Sequence, residues 1–187
     1  MLVNGAGLRF GDFALEGAPA LQATVTGVDF PGNAVTIDAR VPDPQALVGR
    51  VISLGNDLQR EAYTVTAAAA VEGGTRLGFG DVLFIIGMGA VAETDAAAGS
   101  VTSDRDLVGY GRIDGGRHTG RWLYAEDRSE GRRIDAIAGR AFTLQDPPGD
   151  LDALFTDTDG DGRRLYWIVD VGPGDTCIIP SVTWWER

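Results

Sequence analysis

Three carboxylates alternate through a glycine-closed turn at Asp157-Thr158-Asp159-Gly160-Asp161-Gly162. That spacing aims side-chain oxygens at one centre, and glycine permits the sharp bend a hard cation requires. The run matches the first half of a calcium loop, but the twelfth position, where a bidentate glutamate is expected, is Ile168. Leu165-Tyr166-Trp167-Ile168-Val169 reads as a strand, so the expectation is a calcium-stapled turn on a β scaffold and not an EF-hand switch. The candidate metal site is Asp157, Asp159 and Asp161 with one backbone carbonyl. Arg163 belongs to it, with Arg164 behind, as the charge that partly neutralises the site. Calcium takes six to eight oxygens, and Asp150, Asp152, Asp170 and Asp175 are the carboxylates that folding can add. A solvated acidic turn is the plainer alternative.

His118, the single histidine, lies in Gly115-Gly116-Arg117-His118-Thr119-Gly120-Arg121, a polar loop between Tyr110 and Tyr124. Histidine, tyrosine and arginine together can run β-elimination on a uronic-acid polymer: arginine neutralises the carboxylate while histidine or tyrosine moves the proton. No spacing fixes a partner for His118, so an exposed loop histidine is the simpler reading. A single histidine also argues against zinc, whose sites use several His or Cys ligands. Trp184 and Trp185 are adjacent, so on a strand they face opposite sides; one can join the core while the other offers its ring to a sugar face. Trp122 and Trp167 can act likewise, with core packing as the competing role. Arg117 and Arg121, with Arg132 and Arg133, are the cations available to an anionic glycan. Neither a phosphate-binding glycine loop leading from strand to helix nor a Gly-x-Ser-x-Gly elbow occurs.

These residues need a scaffold, and composition constrains it. The chain has 187 residues, enough for one sizeable β domain or two small ones sharing a sheet, and its 44% apolar content is that of a folded protein. The 27 glycines suit many tight turns between short strands. A net charge of −11 argues against nucleic acid and anionic membranes as partners, which attract basic surfaces. All 16 basic residues are arginine, which fits either a GC-rich genome or adaptation to salt. Cys177, the single cysteine, forbids an internal disulfide and sits in an apolar strand as an inert thiol. No apolar run reaches the length of a membrane span, and Met1-Leu2-Val3-Asn4-Gly5 lacks the basic and apolar regions of a signal peptide.

Gln22 to Phe30 alternates, turns at Pro31-Gly32-Asn33 and returns through Val35, Ile37 and Ala39, which predicts a β-hairpin. Gln45-Ala46-Leu47 reads as one helical turn after Pro42-Asp43-Pro44. Further strands are expected near 50–54, 62–66, 76–79, 82–86, 107–113, 120–125, 132–137, 141–144, 165–171 and 176–184. Helical spacing is sustained nowhere over three turns. The fold class is therefore all-β, an antiparallel sandwich or barrel-like domain with little helix and a core including Val25, Val35, Ile37, Val51, Ile52, Val65, Ile168 and Ile178. Residues 1–187 form a single β-rich domain, or two β sub-domains, 1–92 and 104–187, joined by a loop at 93–103.

Several patterns together resemble the C-terminal β domain of heparinase II/III-like polysaccharide lyases and related bacterial extracellular proteins. They are Leu47-Val48-Gly49-Arg50-Val51-Ile52, Asn56-Asp57, Ala62-Tyr63-Thr64-Val65 and Leu77-Gly78-Phe79-Gly80-Asp81. The second half adds Asp157 to Gly162, Tyr166-Trp167-Ile168, Gly172-Pro173-Gly174-Asp175 and the strand from Thr176 to Pro180. In such lyases the catalytic tyrosine and histidine lie in an α-helical toroid and a central β-sandwich, neither recognisable here, so no catalytic residue carries over. The resemblance implies an extracellular accessory module that packs against neighbouring domains or binds polysaccharide weakly. One rival is a structural subunit of a surface layer, appendage or phage virion, self-associating through Phe84-Ile85-Ile86-Gly87-Met88. A second is a small polysaccharide lyase using His118 and Tyr124.

Overall fold

The computed structural model describes residues 21–80, 84–107, 111–128 and 130–180. It is all-β and antiparallel, and of the two architectures expected it takes the barrel. Strands β1 (Leu21–Asp29), β2 (Ala34–Ile37), β3 (Val51–Gly55), β4 (Arg60–Thr64), β5 (Ala67–Val71), β6 (Gly74–Gly78) and β13 (Thr176–Ile179) form one sheet, ordered β4-β3-β13-β1-β2-β6-β5. Its outermost strands, β4 and β5, are consecutive in the chain. At the bend between them the Val65 N–H bonds the Arg50 carbonyl and the Thr66 N–H bonds the Gly78 carbonyl, each at 2.8 Å. The two edges are thus halves of one bent run, which curls the sheet into a first, open barrel whose β4 and β5 edges are not paired with each other. The hairpin expected at Pro31-Gly32-Asn33 is present, with Ala23 and Val25 inward, Thr24 and Thr26 outward, and Asn33 in the left-handed region at φ 43°.

A second sheet closes fully: β7 (Ile85–Asp95), β8 (Ser100–Ser103), β9 (Trp122–Ala125), β10 (Gly131–Ala138), β11 (Ala141–Leu144) and β12 (Leu165–Val169) run in the order β10-β11-β8-β7-β12-β9. Two single-turn helices, α1 (Gly115–His118) and α2 (Leu151–Leu154), are capped by the side chains of Asp114 and Asp150. The loop expected at 93–103 is instead a β-hairpin, with Glu93 opposite Thr102 and Asp95 opposite Ser100. Small polar residues hid it, because Val101 and Ser103 are the only side chains of this stretch that turn inward to be buried, with Gly99 buried at the turn. The boundary at 104 shifts as well: β13 lies between β1 and β3, so the first barrel is completed from the distant end of the chain.

One core gathers Val25, Val35, Ile37, Ile52, Val65 and Leu77 with Cys177 and Ile179, and reaches Tyr124, Val169 and Val171 of the second barrel. The other is built on Val101, Leu123, Ile134, Phe142, Tyr166 and Ile168. Two expected core positions are corrected: Val51 is 45% exposed, and Ile178 is only half-buried. With a period of two, burial of Ile52 and Leu54, and of Cys177 and Ile179, turns Val51 and Ile178 to the opposite face of their strands. Phe84 is fully buried, and Ile85 and Ile86 pack against the first and second cores, so this run is interior and does not form an apolar docking face. Burial pushes the Cys177 thiol up to about 12, which suits an inert core side chain.

Candidate functional site

The acidic turn folds largely around itself. Asp157 accepts the Gly160 and Gly162 N–H groups at 2.7 and 2.8 Å, Asp159 accepts Asp161 N–H at 3.0 Å, and Asp161 accepts Arg163 N–H at 2.8 Å. These bonds, that from Gly162 foremost, hold the Asp157 carboxyl below the ordinary range. Carboxylate oxygens of Glu126, Asp157 and Asp159 lie within 4.8 Å of one another. Glu126, from the turn after β9, was missed by the sequence reading; it also accepts the Thr158 N–H at 3.1 Å and hydroxyl at 2.6 Å. The cluster does not include Asp161, and Arg163 is exposed beside it. The four carboxylates expected to complete the shell are engaged elsewhere: Asp150 caps α2, Asp152 pairs with Arg164 and Thr94, and Asp170 and Asp175 are buried between the barrels.

That inter-barrel seam holds the densest polar chemistry of the described residues. The Tyr63 hydroxyl of β4 donates to Asp170, just after β12. Arg121, 4% exposed, pairs with Glu61 at 2.6 Å. Burial pushes the Asp170 carboxyl up to about 6, against the Tyr63 hydrogen bond and the Arg121 charge, while Glu61 adds to the rise. Asp175, fully buried, accepts Trp122 Nε1–H at 2.8 Å and Gly172 N–H at 2.9 Å on one oxygen. Its other oxygen accepts Arg133 at 2.7 Å and Asn56 Nδ2 at 3.4 Å. Asn56 stands in the tight β3–β4 turn, where Gly55 is at φ 139° and a β-carbon would strike the Gln59 carbonyl.

Beside the seam lies an open groove of about 490 Å³ lined by Trp122, Gly131, Arg132, Arg133, Gln145 and Asp146. Its size is that of small-ligand clefts. Strand pairing assembles it: Arg133 sits opposite Trp122 in the β9–β10 ladder. The Arg133 guanidinium lies 5.2 Å from the Trp122 ring centroid. Gly172 lets the chain pass against the indole, where any β-carbon would collide with it. Arg132 is partly exposed and paired with Glu130.

The residues singled out by sequence are thus dispersed. Arg117 is exposed on α1, whereas Arg121 is buried in its ion pair and cannot meet a surface glycan, a correction caused by the Glu61 carboxylate of the other barrel. Trp184 and Trp185 lie outside the described residues. His118 is fully buried and not an exposed loop residue; its Nδ1 accepts the Asp114 N–H at 3.1 Å, and burial lowers its pKa. Tyr124 packs edge-on against Phe30 at 5.1 Å, and burial raises its hydroxyl pKa. Trp167 carries the Arg128 guanidinium 4.8 Å from its ring centroid. Arg132, Arg133 and Trp122, read separately as a possible cation pair and a strand tryptophan, are brought together; Gln145 and Asp146 were missed. The one available signal for those two was their place after an expected strand, opposite nothing that sequence spacing names. Compared with known proteins, the chain matches no family model, no curated protein and no solved structure.

Proposed function

We propose that this chain is a non-catalytic β-barrel accessory module of a bacterial extracellular polysaccharide-processing system. In this reading it binds glycan weakly in the Trp122–Arg132–Arg133–Gln145–Asp146 groove. The single observation that carries it is the groove's combination of planar polar groups with an arginine-stacked indole. Sugar hydroxyls are donors and acceptors at once, so guanidinium, amide and carboxylate groups at short range suit them. A stacked Arg–Trp pair offers the flat surface against which a pyranose ring lies. The buried positions of His118 and Tyr124 weigh against the lyase alternative, because a β-elimination pair must reach the substrate. A calcium ion held by Glu126, Asp157 and Asp159 belongs to the same proposal, as a staple between the 157–162 turn and the turn after β9.

Calorimetric titration against a uronate oligosaccharide and a neutral β-glucan oligosaccharide tests the glycan reading. We expect affinity between about millimolar and micromolar, weakening with salt for the uronate. Arg132→Ala and Gln145→Ala should each abolish it with the melting temperature almost unchanged, because both side chains reach solvent. Absence of binding to either class moves the assignment to a structural subunit of a surface layer, appendage or virion.

A further inference from the structure

We propose that Asp175 is the positioning residue of the groove, and that Asn56 of the first barrel holds it there, so that the groove's shape depends on the docking of the two barrels. For its ligand this rests on the glycan reading above; its structural half does not. Two of the groove's lining side chains, Trp122 and Arg133, end on the same buried carboxylate, at 2.8 and 2.7 Å. Asp175 is surrounded by donors: Trp122, Gly172, Arg133 and Asn56 all offer N–H groups to its two oxygens. A carboxylate can accept on every side, whereas an amide in its place must present N–H to at least one donor pair. The pairing is therefore specific to aspartate and not a matter of polarity.

The tie to the first barrel is longer at Asp175 itself, 3.4 Å, and is anchored by a shorter bond beside it. Asn56 Nδ2 donates both to Asp175 and, at 2.8 Å, to the carbonyl of Gly120, two residues before Trp122. Its Oδ1 is fixed within its own turn by the Leu58 and Gln59 N–H groups at 2.9 and 3.1 Å. Gln59 of the same turn donates to the Gly116 carbonyl at 2.8 Å. The β3–β4 turn thus grips the backbone leading into β9 on one side of Trp122 and the carboxylate holding its indole on the other. An indole released from Asp175 also frees the guanidinium stacked over it, so groove order and barrel docking form one coupled equilibrium.

Hydrogen exchange of the Trp122 indole N–H, followed by NMR in the whole chain, tests this without any ligand. In both Asp175→Asn and Asn56→Ala the indole should exchange at least tenfold faster than in the parent. The acceleration should exceed that of the Tyr166 and Ile168 backbone amides in β12, which report general loosening of the barrel. Asn56→Ala, outside the groove, keeps the test decisive if Asp175→Asn folds poorly. An indole that merely tracks those amides in a variant that keeps the parent's fold overturns the proposal. If the parent binds the uronate oligosaccharide, both variants should weaken that binding at least tenfold, and unchanged affinity also overturns it. If the parent binds neither oligosaccharide, the glycan reading fails while the indole exchange still decides the role of Asp175.

Discussion

Asp170 and Asp175 lie five positions apart, are both buried between the barrels, and sit in opposite electrostatic settings. Asp175 faces four donors, whereas Asp170 has one oxygen on the Tyr63 hydroxyl and the other buried with no partner. The consequence is a pH dependence with a definite sign. The Asp170 carboxyl sits at about 6 in the fold against 3.8 ordinarily, through burial and despite Tyr63 and Arg121. The folded state therefore holds this proton more tightly than the unfolded chain. Its contribution to stability is complete below about 4 and is lost as pH rises through about 6, an effect of roughly 3 kcal/mol at most. Asp29, Asp152 and Asp157 are held low by Arg76, by Thr94 and Arg164, and by the Gly162 N–H. They act in the opposite direction and below that window. Denaturant unfolding at a series of pH values should show Asp170→Asn gaining on the parent between about pH 4 and 6. A constant difference between the two across that range would remove Asp170 as the titrating group. None of this was readable from sequence, where Asp170 and Asp175 counted as spare ligands for a cation. Asp170 and Tyr63 are 107 residues apart, and the pairing of β13 with β1 and β3 brings the end of the chain back to the first barrel.

Strands were legible where branched or aromatic residues alternate and illegible where side chains are small. The β1–β2 hairpin has Val25, Val28, Val35 and Ile37 to mark its faces, and its turn residues carry the expected chemistry. By contrast β5 is Ala67-Ala68-Ala69-Ala70-Val71, with only Ala68 fully inward, and it pairs along its whole length with β6. Its pairing comes from the tertiary fold, not from propensity. The same holds for the β7–β8 hairpin, whose tip reads as a linker by composition. Glycines in these strands mark close approach, which an element-scale substitution can probe. A β-carbon at Gly74, on β6, would fall against the Ile37 carbonyl oxygen, and one at Gly89, on β7, against the Tyr166 ring. Gly89→Ala should cost about 1–3 kcal/mol as an overpacked core position, and Gly74→Ala should be at least as damaging because backbone yields less than a side chain. Gly73→Ala, where no atom lies near but φ is 82°, should cost about 1 kcal/mol through backbone strain alone. Thermal unfolding of the three variants checks that order, and a neutral Gly74→Ala would contradict the β2–β6 register.

At the scale of the molecule, an open barrel and a closed one share an apolar contact through Tyr124, Val169 and Val171 and a polar seam along the β3–β4 turn. The groove and the acidic turn are both reached from β9, β10 or the turn after β9, so the second barrel presents the surface and the first braces it. Calcium should act as a staple on that surface. At about 100-fold excess over its dissociation constant it should add about 2.7 kcal/mol of stability, and Asp159→Ala should abolish the gain. Trp167 donates its indole N–H to the Glu126 carbonyl at 3.1 Å, so its fluorescence should report the same titration. A melting temperature and emission unmoved by calcium or chelator would reduce the turn to the self-bonded loop its aspartates already form. Glycan binding in the Trp122 groove can be mapped by NMR shifts during titration with the uronate and β-glucan oligosaccharides. It predicts shifts concentrated on the Trp122 indole, the Gly131–Arg133 backbone and the Gln145 amide, with the remainder of both barrels still. Saturable shifts elsewhere with the groove silent, or no shifts with either sugar, would contradict it.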